Sequence, residues 1–160
     1  MLAMKTYNIL FLCTANSSRS ILGEMAATLV TNKKFIGYSA GSKPSGSVNT
    51  CAIKIARELN YPLSKLYSKS LDLFLSKDAP WMDMVITVCD NAAKEECPLW
   101  SGKTIKGHWG FPDPANIENK DNQLTEFRRI FQEIQSRLET ISSLKFETLS
   151  VSEIEEKLKF

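Results

Sequence analysis

The segment of residues 7–30 constrains the fold most, because it joins a buried-strand pattern to a helical pattern through a loop of small residues. YNILFLC, residues 7–13, is short and nearly continuously apolar, which favours a strand buried on both faces. SILGEMAATLV, residues 20–30, is rich in strong helix formers and places Ile21 and Met25 at helical spacing. The intervening loop therefore runs from the carboxyl end of a strand to the start of a helix.

A loop in this position is suited to binding an oxyanion. The first N–H groups of a helix have no partner within the helix and carry the positive end of its dipole, and small residues allow further N–H groups to turn inward. Arg19 adds a planar guanidinium that matches a phosphate-like anion. The same donors would keep Cys13 largely as a thiolate, although a cysteine at the end of a strand is often only a small buried hydrophobic residue.

The pattern C-x5-R-S between strand and helix predicts a nucleophilic cysteine beneath a bound tetrahedral oxyanion. Asn16 is expected to organise the loop through side-chain hydrogen bonds, and Ser20 is expected to donate a hydrogen bond to the Cys13 sulfur. The residues that we expect to bind the oxyanion are Thr14, Ala15, Asn16, Ser17, Ser18 and Arg19.

Strand and helix patterns alternate along the rest of the chain. We predict further strands at 35–40 and 84–89, a weaker one at 103–108, and helices at 49–60 and 123–144. This alternation predicts an α/β fold, with one domain built on a four-stranded parallel sheet that carries helices on both faces. Ligands of such sheets bind beyond the carboxyl ends of the strands, and Cys13 and Cys89 each end a predicted strand.

The length of 160 residues suits a single domain with a sizeable core. We assign residues 1–146 to this domain and residues 147–160 to a C-terminal extension. The extension is expected to be helical, because Ser152 and Glu155 stand at the spacing of a capping box.

The charge balance argues against a nucleic-acid or anionic-membrane partner, because 20 Lys and Arg side chains nearly match 18 Asp and Glu side chains. The N-terminal residues lack the apolar core of a signal peptide, and no apolar run approaches the roughly 20 residues of a membrane span. We therefore expect a cytoplasmic protein. In that reducing compartment we expect free, catalytic or redox-active thiols at Cys13, Cys51, Cys89 and Cys97, whose spacing does not match a zinc site.

Asp113 lies between Pro112 and Pro114, whose rings stiffen the backbone and hold the carboxyl in one position. A leaving oxygen of a tetrahedral oxyanion needs to be protonated, which is a task for a carboxylic acid opposite the nucleophile. From these residues alone, a general acid and an ordinary turn aspartate are both open.

CTANSSRS, residues 13–20, resembles the phosphate-binding loop of the low-molecular-weight protein tyrosine phosphatase superfamily. The segments YSAGSKP, VITVCDNAAKEECP and HWGFPDPA resemble the arsenate reductase branch of that superfamily, which uses a thiol-coupled cysteine relay. The resemblance extends over residues 6–141. It implies a low-molecular-weight phosphatase-like fold and the reduction of arsenate to arsenite, an activity of arsenic detoxification.

The resemblance also implies a role for each chemical group. Cys13 attacks arsenate, Asp113 protonates the leaving oxygen, and Cys89 then attacks the Cys13 adduct. Cys97 next draws the disulfide outward for an external thiol reductant, either thioredoxin or glutathione with glutaredoxin. No bound cofactor is implied.

Several departures from the family pattern bear on these expectations. DPANIE has no tyrosine after Asp113, which argues against a phosphotyrosine pocket and for a small inorganic oxyanion. Cys97 follows Cys89 by one residue more than in thioredoxin-coupled members, which leaves the detail of the relay open. Ala15 replaces the usual glycine, so we expect backbone strain from a positive φ there, and Ser18 replaces a cysteine of many relatives.

Two further similarities concern residues outside the loop. Asn16 and Ser39 resemble part of a cation site seen in some relatives, but Ser70 stands where a carboxylate would be expected, so we predict no metal. His108 and Trp109 match the HWG segment of the family and are expected to be structural.

Two other functions remain open at the level of sequence. A low-molecular-weight phosphatase would need only Cys13, Arg19 and Asp113, with the other cysteines incidental. A non-enzymatic oxyanion-binding or redox-sensing module would need only the loop. The electron donor, the oligomeric state and the role of Cys51 are open as well.

Overall fold

The computed structural model of the chain describes residues 5–95 and 103–160. The strands in these residues are β1 Tyr7–Cys13, β2 Phe35–Gly41, β3 Met84–Thr87 and β4 Ile105–His108. They form one parallel sheet in the order β2-β1-β3-β4. The α-helices are α1 Arg19–Thr28, α2 Thr50–Glu58, α3 Asp90–Lys94, α4 Lys120–Ser142 and α5 Val151–Lys157. The predicted α/β class and four-stranded parallel sheet are confirmed.

β1 lies inside the sheet, between β2 and β3. Its consecutive residues Ile9, Leu10 and Phe11 are fully buried, and neighbouring side chains of a strand point to opposite faces. Both faces of β1 are therefore covered, as its continuous apolar sequence predicts. This burial holds Cys13, the last residue of β1, at a fixed position at the carboxyl edge of the sheet.

α4 packs its apolar stripe into the core and against α1. The buried apolar residues of α4 are Leu124, Phe127, Ile130, Phe131, Ile134, Leu138 and Ile141. Their spacing of three to four positions is that of the packing face predicted for this segment. Although α4 has 23 residues, neither it nor any other helix in the described parts of the chain is long and apolar enough to cross a membrane.

β3 is shorter than the strand predicted at 84–89. It ends at Thr87, and Cys89 instead stands at the N-terminus of α3. The chain leaves the sheet there because the Cys89 carbonyl accepts a hydrogen bond from the N–H of Ala93, which begins a helical turn. Cys89 thus lies at the start of a short helix that we did not predict.

α5 begins differently from the sequence prediction. The capping box pairs Ser150 with Glu153, so the predicted pair of Ser152 and Glu155 is wrong. The reason is that the helix begins at Val151, which places both predicted capping residues inside it.

The residues after α5 pack against β4 and the segment that follows it. Leu158 is buried beside Gly107, and its carbonyl accepts a hydrogen bond of 2.8 Å from the indole N–H of Trp109. Phe160 meets the Trp109 ring edge-on, with centroids 5.7 Å apart. The C-terminal residues therefore support the chain segment that leads from β4 to Asp113.

Candidate active site

The loop between β1 and α1 is held from outside by the chain that follows β2. Three of its carbonyls and that of Cys13, the last residue of β1, accept backbone N–H groups of that chain: Cys13 from Ser42, Thr14 from Lys43, Ala15 from Ser45 and Ser17 from Asn49. Because these carbonyls point outward, the loop can turn N–H groups toward its interior, as an oxyanion site requires. Gly41 permits this close approach, since a Cβ there would lie 2.4 Å from the Thr14 carbonyl oxygen.

Asn16 is the strained residue of the loop. Its φ is 49°, so the positive φ predicted at Ala15 falls one residue later, on a residue type that tolerates the left-handed region better. Asn16 is fully buried, its Oδ1 accepts the backbone N–H of Lys69 at 2.8 Å, and its Nδ2 donates to Ser20 Oγ at 2.9 Å. The predicted organising role of Asn16 thus has a structural basis. The predicted bond from Ser20 to Cys13 is not formed in the described residues.

Cys13 and Cys89 are neighbouring buried thiols at the carboxyl edge of the sheet. The Cys89 thiol raises the pKa of Cys13, burial raises it further, and the positive charge of Arg19 offsets these effects only in part. The Cys13 thiol in turn lowers the pKa of Cys89, with further support from Ala92 and from Thr14, whose Oγ1 lies 3.7 Å from the Cys89 sulfur.

These pKa shifts bear on the predicted thiolate. The two thiols titrate as a coupled pair that shares one proton, and the ionisation of Cys13 itself stays a prediction. The donors of the loop act on both sulfurs because the structure brings the second thiol into the same site.

The coupling of the two thiols has a measurable consequence. We expect iodoacetamide to alkylate Cys89 at a rate that rises with pH through a midpoint below the ordinary thiol value, because only the thiolate reacts and the pKa of Cys89 is lowered. Cys13→Ala removes the neighbouring thiol and should move this midpoint up toward the ordinary value. Peptide mass spectrometry separates Cys89 from the other cysteines. A midpoint that is ordinary in the parent protein, or unchanged in Cys13→Ala, would contradict the coupling.

Arg19 lies between the loop and the segment after β4. Its Nη1 donates to the Phe111 carbonyl at 2.7 Å, and its Nη2 lies 3.8 Å from Asp113 Oδ2. Among the described residues, the buried Nε of Arg19 and the Oγ of Ser18 have no hydrogen-bond partner. The bond to the Phe111 carbonyl therefore positions Arg19, while its Nε–H remains available to an anion.

Asp113 faces Cys89 and the loop across an open cleft of about 420 Å³. The described residues that line the cleft are Thr14, Ala15, Arg19, Cys89, Asp90, Asn91, Phe111, Pro112 and Asp113. Asp113 Oδ1 accepts the N–H of Ala115 at 3.0 Å, which orients the carboxyl, and its side chain is 37% exposed. Of the predicted site residues, the cleft thus brings together Thr14, Ala15, Arg19, Cys89 and Asp113, whereas Cys13, Asn16, Ser17 and Ser18 are not among its lining residues.

Gln123 of α4 supports the Asp113 segment, and we did not predict it. Its Nε2 donates to the carbonyls of Ala115 at 3.1 Å and Ile117 at 2.9 Å. Its Oε1 accepts from the buried Cys51 thiol at 3.2 Å. Cys51 therefore contacts Gln123, which supports the segment of Asp113, and Cys51 does not line the cleft. A glutamine in a helical pattern gives no sequence signal for such a role.

His108 connects the end of β4 to the start of α3. Its Nδ1 is 2.7 Å from Thr87 Oγ1, and its Nε2 is 3.2 Å from Asp90 Oδ1. His108 thereby holds the residue that directly follows Cys89. Within the described residues, no group of three or more His, Cys, Asp or Glu side chains is placed to hold a metal ion. Cys97, the predicted second resolving thiol, lies outside the described residues.

The chain is similar in sequence to known proteins of one family. Residues 8–155 match the family described as low molecular weight phosphotyrosine protein phosphatase. An arsenate reductase of Halalkalibacterium halodurans is 37% identical over 140 residues, which cover 84% of this chain and 94% of the relative. An arsenate reductase of Bacillus subtilis is 34% identical over 136 residues, with coverage of 84% and 94%.

Solved structures show the same fold. An arsenate reductase in the phosphate-binding state superposes with a TM-score of 0.63 at 26% identity and covers 86% of this chain and 98% of its own. A thioredoxin-dependent arsenate reductase of Corynebacterium glutamicum superposes with a TM-score of 0.57 at 22% identity, over 88% of this chain and 62% of its own.

Proposed function

Because this chain belongs to the low molecular weight phosphotyrosine protein phosphatase family, and because a second thiol lies beside its loop cysteine, we propose that it reduces arsenate to arsenite. The proximity of the Cys13 and Cys89 thiols, each of which shifts the pKa of the other, is the observation that carries the proposal. A hydrolase resolves its cysteine adduct with water and needs no second thiol there, whereas a reductase needs one within bonding reach.

In the first step, the loop N–H groups and Arg19 bind arsenate with its arsenic above Cys13. The proton shared by the thiol pair is then held on Cys89, which makes Cys13 the nucleophilic thiolate. Cys13 attacks arsenic, so that a sulfur–arsenic bond forms and an arsenic–oxygen bond breaks. Asp113 protonates the leaving oxygen, which departs as water.

In the second step, Cys89 loses its proton to solvent and attacks the sulfur of Cys13. A disulfide bond forms, the sulfur–arsenic bond breaks, and its electron pair stays on arsenic. Arsenic(V) is thereby reduced to arsenic(III) and leaves as arsenite, while the two thiols are oxidised to a disulfide.

The disulfide has to be reduced before a second turnover. We propose that Cys97 attacks Cys89, which frees Cys13 and leaves a Cys89–Cys97 disulfide for an external dithiol. Thioredoxin is supported by the thioredoxin-dependent structural neighbour, and glutathione with glutaredoxin is the alternative donor. We place the reaction in the cytoplasm, because this regeneration requires a reducing compartment.

Phosphatase activity is the alternative for the same three groups, Cys13, Arg19 and Asp113. The residues after Asp113 that form the short 3-10 turn, Pro114–Asn116, offer no aromatic ring to stack on a phosphotyrosine. We therefore expect only weak hydrolysis of aryl phosphates.

A direct assay distinguishes the proposed activities. The protein is incubated with arsenate and excess dithiol while arsenite is measured, and in parallel with a chromogenic aryl phosphate. We expect repeated arsenite release with slow phosphate hydrolysis. Efficient hydrolysis without arsenite would make the protein a phosphatase, and arsenate binding without turnover would make it an oxyanion-binding module.

Arg19→Lys tests the role of the guanidinium in this reaction. We expect arsenite release to fall by at least about tenfold, because an ammonium cannot reproduce the planar fork that binds two oxygens of the oxyanion. Arg128→Lys, a change of the same kind on the exposed face of α4, should leave the rate unchanged. A rate for Arg19→Lys within about threefold of the parent would rule out transition-state binding by Arg19.

A further inference from the structure

A lysine ammonium is buried directly behind the oxyanion loop. Lys69 lies between α2 and β3, where its carbonyl accepts the N–H of Gly41 at the end of β2. The residue is only 7% exposed. Its Nζ lies within hydrogen-bonding distance of four oxygens, at 2.9 Å from Tyr67 O, 3.1 Å from Ser39 Oγ, and 3.5 Å from both Asn16 Oδ1 and Glu24 Oε1.

The four oxygens come from separate parts of the fold. Glu24 belongs to α1, Ser39 to β2, Asn16 to the oxyanion loop and Tyr67 to the segment of Lys69 itself. Glu24 is only 4% exposed and also accepts a hydrogen bond of 2.6 Å from Ser39 Oγ. A buried carboxylate without a cation beside it would be strongly destabilising, so the ammonium of Lys69 supplies the charge that this cluster requires.

The ammonium acts on the loop through Asn16. Asn16 Oδ1 accepts both the backbone N–H of Lys69 and its Nζ, while Asn16 Nδ2 donates to Ser20 Oγ. These bonds fix the side chain of the one loop residue that has a positive φ. Ser70, the next residue, accepts the N–H of Asp72 and does not enter the cluster.

We propose that Lys69 is the resident cation of the oxyanion loop: its ammonium occupies an oxygen-lined monovalent-cation site and holds Asn16 in the conformation that binds the oxyanion. Lys69 is thus a positioning residue for the proposed reaction, on which this inference rests. The loop then requires no dissolved cation. Removing the side chain should open a site of oxygen ligands that accepts a small monovalent cation from solution.

The test measures the binding of inorganic phosphate by calorimetry, which requires neither a reductant nor turnover. In Lys69→Ala in choline chloride, we expect the affinity to fall by about tenfold or more, because a charge-assisted bond to Asn16 is lost. Potassium chloride or methylammonium chloride at the same ionic strength should restore most of the affinity, since these cations are small enough to enter the site. The parent protein should bind phosphate equally well in all three salts.

Two matched variants complete the test. Lys69→Met fills the site with an uncharged side chain of similar length, so its affinity should be low and no salt should restore it. Lys65→Ala removes an exposed lysine near the same surface and should behave like the parent. If Lys69→Ala is unfolded in choline chloride, potassium and methylammonium should raise its thermal unfolding midpoint.

Parental affinity in Lys69→Ala or Lys69→Met would overturn the inference. A loss in Lys69→Ala that neither cation restores, in binding or in unfolding midpoint, would also overturn it. Phosphate binding is measured without arsenate. A failure to release arsenite would therefore refute the proposed reaction, while the phosphate-binding data would still test the role of Lys69.

Discussion

Cys13→Ser should release no arsenite and hydrolyse no aryl phosphate, with both rates reduced by about 10⁴-fold or more. The serine hydroxyl has a far higher pKa than a thiol and does not ionise in this site, so it supplies no anionic nucleophile. The measurement is arsenite release with excess dithiol, together with hydrolysis of a chromogenic aryl phosphate.

Oxyanion binding is the control for this variant. The loop N–H groups and Arg19 are unchanged by Cys13→Ser, so phosphate should still bind with nearly parental affinity. Appreciable turnover of either substrate by the variant would show that Cys13 is not the nucleophile.

Cys89→Ser and Asp113→Asn should separate the two activities. Cys89→Ser is expected to block multiple-turnover arsenite release and to leave aryl-phosphate hydrolysis nearly intact, because water resolves the phosphoryl adduct. Loss of the Cys89 thiol also removes the main cause of the raised pKa of Cys13, which favours its thiolate. Both rates are measured on the same preparation.

Asp113→Asn should instead lower both activities, by about 10²- to 10⁴-fold, because each needs a protonated leaving oxygen. Asparagine can still accept the N–H of Ala115, so the position of the segment should be retained. Equal loss of hydrolysis and reduction in Cys89→Ser, or loss of reduction alone in Asp113→Asn, would contradict the assigned roles.

The parts of the fold that rest on local pattern could be predicted from the sequence. The apolar run at residues 7–13 matches the observed bounds of β1. A central parallel strand is buried on both faces, so its continuous apolar sequence predicts it without knowledge of the neighbouring strands. The placement of Cys13 and Cys89 at one edge of the sheet followed from parallel strand order. The coupling of their pKa values did not, because it depends on the proximity of two thiols 76 positions apart in the chain.

The supports of the site carry no local signal at all. Lys69 approaches Asn16, and Gln123 approaches Ala115, only after strands and helices have packed. The prediction of strain at Ala15, where a glycine is usual, is wrong because the side-chain bonds of Asn16 place the left-handed conformation one residue later. Such positions are set by tertiary contacts, which periodicity and spacing do not encode.

The relay of thiols is the central claim, and mapping the disulfide formed in one turnover tests it most directly. Reduced protein is mixed with arsenate without added reductant, quenched with a thiol-blocking reagent, digested and analysed by mass spectrometry, with arsenite measured in the same sample. We predict one arsenite for each Cys89–Cys97 disulfide in the parent, and a Cys13–Cys89 disulfide in Cys97→Ser. Arsenite release with no disulfide, or with a disulfide that contains Cys51, would contradict the relay.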